Sequence, residues 1–148
     1  MKQEDKELLF KDLSARLPYA VKVNEDIQGN FTLIGLTNER VFTTCEVEGC
    51  HNDFPIESVK PYLFPLSSMT KEQYEKWCDL EAEPLDIILT KNANGEKMST
   101  LEHHLLIAKS LTDSINYCYK NHFDIYGLIP KNLAIDATGL NIYKTIKS

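Results

Sequence analysis

The sequence predicts an α+β domain: an antiparallel β-meander of three to five strands packed against an N-terminal helix and C-terminal helices. Three observations carry this reading. Apolar residues recur every four positions in the segment from Glu4 to Leu17. Alternating or continuous β-branched and aromatic runs then fill Tyr19 to Ile56, and helical spacing with capping signals returns after Thr70. The turns between the strand-like runs are too short for crossovers, so successive strands pair antiparallel. A small SH3-like barrel over Tyr19 to Leu66 is the alternative arrangement of the same strands.

In the first helix, Leu9, Leu13 and Leu17 share one face, with Leu8 and Phe10 widening it, while Asp5, Lys6, Lys11 and Asp12 fill the other. Pro18 disfavours helical geometry at Leu17 and ends the helix. Tyr19, Val21 and Val23 alternate with Ala20 and Lys22 as a first strand, and Asn24 to Asn30 carries turn residues. Phe31 to Leu36 is a second strand. Val41 to Val47, rich in β-branched residues, is a third. Phe54-Pro55-Ile56 is short or at an edge, because Pro55 cannot donate to a ladder. Glu57 to Met69, with Pro61 and Pro65, reads as an irregular apolar segment wrapped across the sheet.

Thr70-Lys-Glu-Gln73 is a capping box opening a helix to about Glu81, with Tyr74, Trp77 and Cys78 on one face and Pro84 stopping it. Leu85 to Thr90 reads as a short strand, followed by a polar loop from Lys91 to Lys97. Ser99-Thr-Leu-Glu102 is a second capping box, and Leu101, Leu105 and Ala108 are in helical register behind it. Ser110-Leu-Thr-Asp113 repeats the pattern, so 99–121 forms one helix or two separated near Ser110, with two preferred. Leu133-Ala-Ile-Asp136 closes the chain as a last short strand.

The 148 residues carry 43% apolar and 26% charged side chains and a net charge of -6. A chain of this length buries roughly 69% of its extended surface, enough for one ordinary core; one domain over 1–148 is expected. The acidic balance makes phosphate-backbone binding a poor fit, so nucleic acid is not the expected partner. The nucleic-acid alternative uses the small barrel, with Lys22, Arg40 and Lys60 as contacts. No run approaches a membrane span, and the charged start lacks an apolar leader region. Four scattered cysteines (Cys45, Cys50, Cys78 and Cys118) are too few for a secreted disulfide scaffold, so reduced thiols and a cytoplasmic location are expected.

Three blocks stand together: Asp12-Leu-Ser-Ala-Arg-Leu-Pro-Tyr19, Ile56-Glu-Ser-Val-Lys-Pro-Tyr-Leu-Phe-Pro-Leu-Ser-Ser-Met-Thr70, and Asn121-His-Phe-Asp-Ile-Tyr-Gly-Leu-Ile-Pro-Lys-Asn-Leu-Ala-Ile-Asp136. Their order and spacing resemble a family of short proteins from gut Bacteroidales and their phages or mobile elements. That family has no assigned activity, so the resemblance implies a small accessory protein and transfers no catalytic residue.

Chemistry-bearing residues are sparse. Cys118 and His122 lie four apart, a spacing at which a thiolate and an imidazole suit zinc, and Cys45, Cys50 and His51 are the further ligand types within the chain. A buried thiol and a helix-end histidine explain the same residues without metal, and no cofactor is expected. Adjacent Cys50-His51 and His103-His104 do not share a face. Asp79, Glu81 and Glu83 read as solvated carboxylates. Aromatic residues beside polar ones are enriched at interfaces, which singles out Tyr62, Phe64, Phe123 and Tyr126. The expected function is a non-catalytic accessory or protein-interaction protein with an unidentified protein partner.

Overall fold

The computed structural model describes residues 1–45, 49–96 and 98–143. It is a mixed α+β structure dividing into two compact units, Met1–Ser68 with Tyr119–Ser148, and Met69–Cys118. The first unit is built on α1 (Gln3–Arg16), β1 (Lys22–Glu25), β2 (Gly29–Leu36), β3 (Arg40–Thr44), β4 (His51–Pro55), β5 (Val59–Leu63) and β6 (Ile135–Asp136). The second holds α2 (Lys71–Ala93) and most of α3 (Thr100–Lys120).

The sheet runs in the order β4-β3-β2-β1-β5-β6, antiparallel throughout except for the parallel β5/β6 pair. It is an open sheet with β4 and β6 at its edges, so the barrel alternative is corrected. One face buries Val23, Phe31, Leu33, Val41, Phe54, Ile56, Val59 and Leu63 beneath Leu9 and Leu13 of α1. The period-2 alternation sends Lys22, Asn24, Thr32 and Thr44 to the other face, as the register pairs Lys22 with Thr32 and Thr32 with Thr44. The core cluster of this unit is drawn from α1, the strands and the segments beside them, with Leu128, Leu133 and Ala134 added from the C-terminal part.

Several local expectations are overturned. Leu17–Tyr19 is a 3-10 turn and Ala20 takes φ 54, so the first strand starts at Lys22 rather than Tyr19. The third strand is described to Thr44, and the expected continuation through 46–47 falls outside the described residues. Within the stretch read as irregular, Val59–Leu63 is a strand paired with β1. The Leu63 carbonyl accepts from Ala137 N–H, so alternate residues of β5 aim their main-chain groups toward β6. Pro61 lies on that side, but β6 pairs only with Tyr62 and Leu63, so no ladder donor is missing.

Pro84 does not stop α2, which continues to Ala93 and absorbs the segment expected as a strand from Leu85 to Thr90. A proline inside a helix leaves the carbonyl four residues earlier without its N–H partner. Here that carbonyl, Leu80 O, accepts from the Ser110 hydroxyl of α3 at 2.6 Å. Ser110 is therefore not a cap, and α3 is one helix rather than two. Thr112 and Ser114 also turn their hydroxyls back to the carbonyls of Ala108 and Leu111. The Thr70–Gln73 capping box forms as expected, with both reciprocal bonds, and Ser99 accepts from Glu102 N–H at 3.2 Å.

Candidate functional site

The chemistry-bearing residues found in the sequence do not assemble into a reactive group. Helix α3 ends at Lys120, and His122 sits in a turn at φ 62, so the helical spacing that put it on one face with Cys118 is broken. Among the described residues no group of three or more His, Cys, Asp or Glu side chains is placed to hold a metal ion. Cys45 and Cys50 form a disulfide with Cα atoms 5.6 Å apart, which corrects the expectation of reduced thiols at both. His51 is exposed at the start of β4.

Of the aromatic residues, Tyr62 and Phe123 are buried and Phe64 and Tyr126 half-buried, and together they brace the sheet unit from within. Phe64 forms an isolated parallel bridge with Phe123. Tyr62 donates to Asn30 Oδ1 at 2.7 Å, and its carbonyl accepts from Tyr143 at the same distance. Lys11 lies over the Tyr126 ring. Asp12, expected on the polar face of α1, is instead fully buried and accepts from Arg16 at 2.7 and 3.0 Å. Arg16 also donates to the Phe123 carbonyl at 2.6 Å and lies over the Tyr119 ring. His122 stacks on Tyr143 with centroids 3.6 Å apart, and burial, helped by the Arg16 charge, lowers its pKa to about 4. It is thus a neutral imidazole at pH 7. This network ties α1 to 122–124.

The polar face of the sheet offers a cleft of about 510 Å³ whose walls include Lys22, Asn30, Thr32, Thr44 and Asn141. Polar groups of its walls are engaged internally: Lys22 donates to Thr32, and Asn30 Oδ1 accepts from both Tyr62 and Asn24. The cations proposed for nucleic acid are likewise paired, Arg40 with Asp53 at 2.7 Å and Lys60 with Asn132 at 3.1 Å.

The second unit shows the reverse of normal burial. Helices α2 and α3 form an antiparallel hairpin held by the Ser110 bond to Leu80, with Pro84, Ile87, Leu106 and Asp113 lining the inter-helix seam. Pro84, Ser110, Ser114 and Cys118 are buried. Meanwhile Tyr74, Leu85, Leu89, Leu101, Leu105, Ile107, Leu111 and Ile115 are 45–66% exposed. The apolar face of α3 thus points to solvent, while the face toward α2 is built largely from small and polar residues. A groove of about 370 Å³ runs along the exposed side, walled by Leu85, Ile88, Ile107 and Leu111. Singly scattered apolar residues need no explanation, but a contiguous apolar face marks a contact surface. The helical register of Leu101, Leu105 and Ala108 is visible in the sequence, but which way that face points is not.

Comparison of the chain with protein-family models, curated proteins and solved structures gives no match in any of the three. The functional reading therefore stands on the geometry of these two units.

Proposed function

We propose that this chain is a non-catalytic interaction protein that offers the α2–α3 hairpin to a protein partner, with the sheet unit as its folded platform. The supporting observation is the burial of the hairpin, where seven leucines and isoleucines are exposed while Pro84, Ser110 and Ser114 are buried. Covering the seven exposed leucines and isoleucines would release on the order of 5–10 kcal/mol before association costs. A partner recovers that free energy. The accessory role on a phage or mobile element, implied by the resemblance of the three sequence blocks, belongs to the same proposal. Disulfides persist mainly in oxidising compartments, so the Cys45–Cys50 bond favours such a setting over the reducing cytoplasm expected from the sequence.

The test is site-specific photo-crosslinking in cells, with the photoreactive residue placed at Leu105 or at exposed Lys131 of the sheet unit. A discrete adduct from position 105, absent from position 131 and lost with Leu111→Glu, is the expected outcome. Equal labelling from both positions, or none from 105, overturns the proposal.

A further inference from the structure

Resting on this interaction reading, we infer that the partner of the α3 apolar face is a second copy of the chain, packed antiparallel about a two-fold axis at Ala108. A two-fold contact is isologous: if residue i of one copy touches j of the other, j touches i. An apolar stripe serves such a contact when it reads the same in both directions. The α3 stripe does. Leu105 and Leu111 lie three residues to either side of Ala108, and Leu101 and Ile115 lie seven to either side. Laid antiparallel, Leu101 meets Ile115 of the second copy, Leu105 meets Leu111, and Ala108 meets itself. A foreign helix would impose no such symmetry. The steps of four, three, three and four average 3.5 residues, the repeat that keeps one seam turned toward a partner along a helix pair.

Size and charge fit the same occupant. The exposed parts of this stripe, with Ile107, Leu85 and Leu89 beside it, amount to roughly 500–700 Å² of apolar surface per copy. That approaches the ~800 Å² per partner of a standard stable interface. Although the chain carries -6 overall, α3 is balanced, with Glu102 and Asp113 against Lys109 and Lys120, so two copies of it do not repel. Helix α2 carries six carboxylates against three lysines and is disfavoured as the seam between copies. The surplus of small residue at Ala108 lets the two helix axes approach closely at the crossing.

Sedimentation equilibrium of the full chain, with Ala108→Cys crosslinking, tests this. The wild type is expected at twice the chain mass at about 100 µM, with Leu105→Glu and Leu111→Glu each weakening the dimer at least ~100-fold. Both positions are exposed, and an unchanged far-UV CD spectrum confirms that these variants fold. In a Cys78→Ser background, diamide should join two copies through Ala108→Cys alone. Leu101→Cys should join only to a copy carrying Ile115→Cys. A monomer at that concentration, or a dimer that fails to crosslink at position 108, overturns the inference. If the monomer still gives a position-105 adduct with a different protein in cells, only the second-copy assignment falls. If no adduct forms, the interaction reading falls with it.

Discussion

Helix α2 passes through Pro84 because a hydroxyl from another helix completes its hydrogen bonding, and this can be measured as a coupling. Leu80 O would normally accept from the amide of residue 84; Pro84 has none, and buried Ser110 supplies the donor at 2.6 Å. Ser110→Ala removes that donor and leaves a part-buried carbonyl without it, at a cost of about 1–3 kcal/mol. Pro84→Ala restores the main-chain donor and relieves a helix-propensity penalty of ~3 kcal/mol, less ~1 kcal/mol for the lost ring burial. In the Pro84→Ala background, Ser110→Ala should cost under ~0.5 kcal/mol, because Leu80 O is then satisfied by its own helix. The coupling energy of the cycle is therefore at least ~0.5 kcal/mol. Urea melts followed by fluorescence of Trp77, the chain's one tryptophan, report on α2 directly. All four proteins are compared at one concentration, since self-association adds to apparent stability. An equal cost for Ser110→Ala in both backgrounds would refute the account.

Three further outcomes follow from the sheet unit. Asp12→Ala leaves Arg16 as an unpaired buried charge and should cost about 3–5 kcal/mol in guanidinium melts followed by CD, whereas Asp12→Leu with Arg16→Met should recover most of it. A loss below ~1 kcal/mol for the single change would contradict the burial. His122 titrates near its ordinary value of ~6.5 when unfolded and at about 4 when folded, so the native state binds its proton less readily. Its contribution is fully present above pH ~6.5 and is lost as the pH falls toward 4, a slope worth ~1–2 kcal/mol after discounting for partial exposure. His122→Asn, which tolerates φ 62, should flatten that slope in melts across the same window; an unchanged slope would assign it to other groups. Thiol titration of the protein unfolded without reductant should find Cys78 and Cys118 free and Cys45 and Cys50 unreactive, and Cys45→Ser should cost ~2 kcal/mol through the short loop it opens. Four reactive thiols would restore the reduced reading.

The α+β class and several elements were legible because their signals are local. The four-residue spacing of Leu9 and Leu13, Pro18 after it, the β-branched run from Val41 and the Thr70–Gln73 box each act within a few residues, and each forms as expected. Where sequence reasoning failed, the deciding partner lies far along the chain. Asp12 reads as a solvent-face residue by helical position, yet it is buried in a pair with Arg16, which also donates to the Phe123 carbonyl, 107 positions beyond it. Pro84 reads as a stop because its compensating donor stands thirty positions from Leu80. Pro61 reads as a strand breaker because the short reach of β6, which makes it harmless, is a property of the sheet and not of β5.

The hairpin shows the same limit from the other side. Periodicity establishes that a helix has an apolar face, but burial depends on what lies against it. Leu101, Leu105 and Ala108 satisfied the pattern of a core helix, and within this chain the core was the available place to put them. The core of the sheet unit holds Leu9, Leu13, Val21, Leu33, Ile56 and Leu63, all at most 2% exposed. A two-helix hairpin with serine at its seam has little surface of its own to bury, so its apolar stripe is not explained by the packing within that unit. On the proposal made above, the stripe is stabilising only in an assembly, and its symmetry about Ala108 is the feature that points to two copies of this chain.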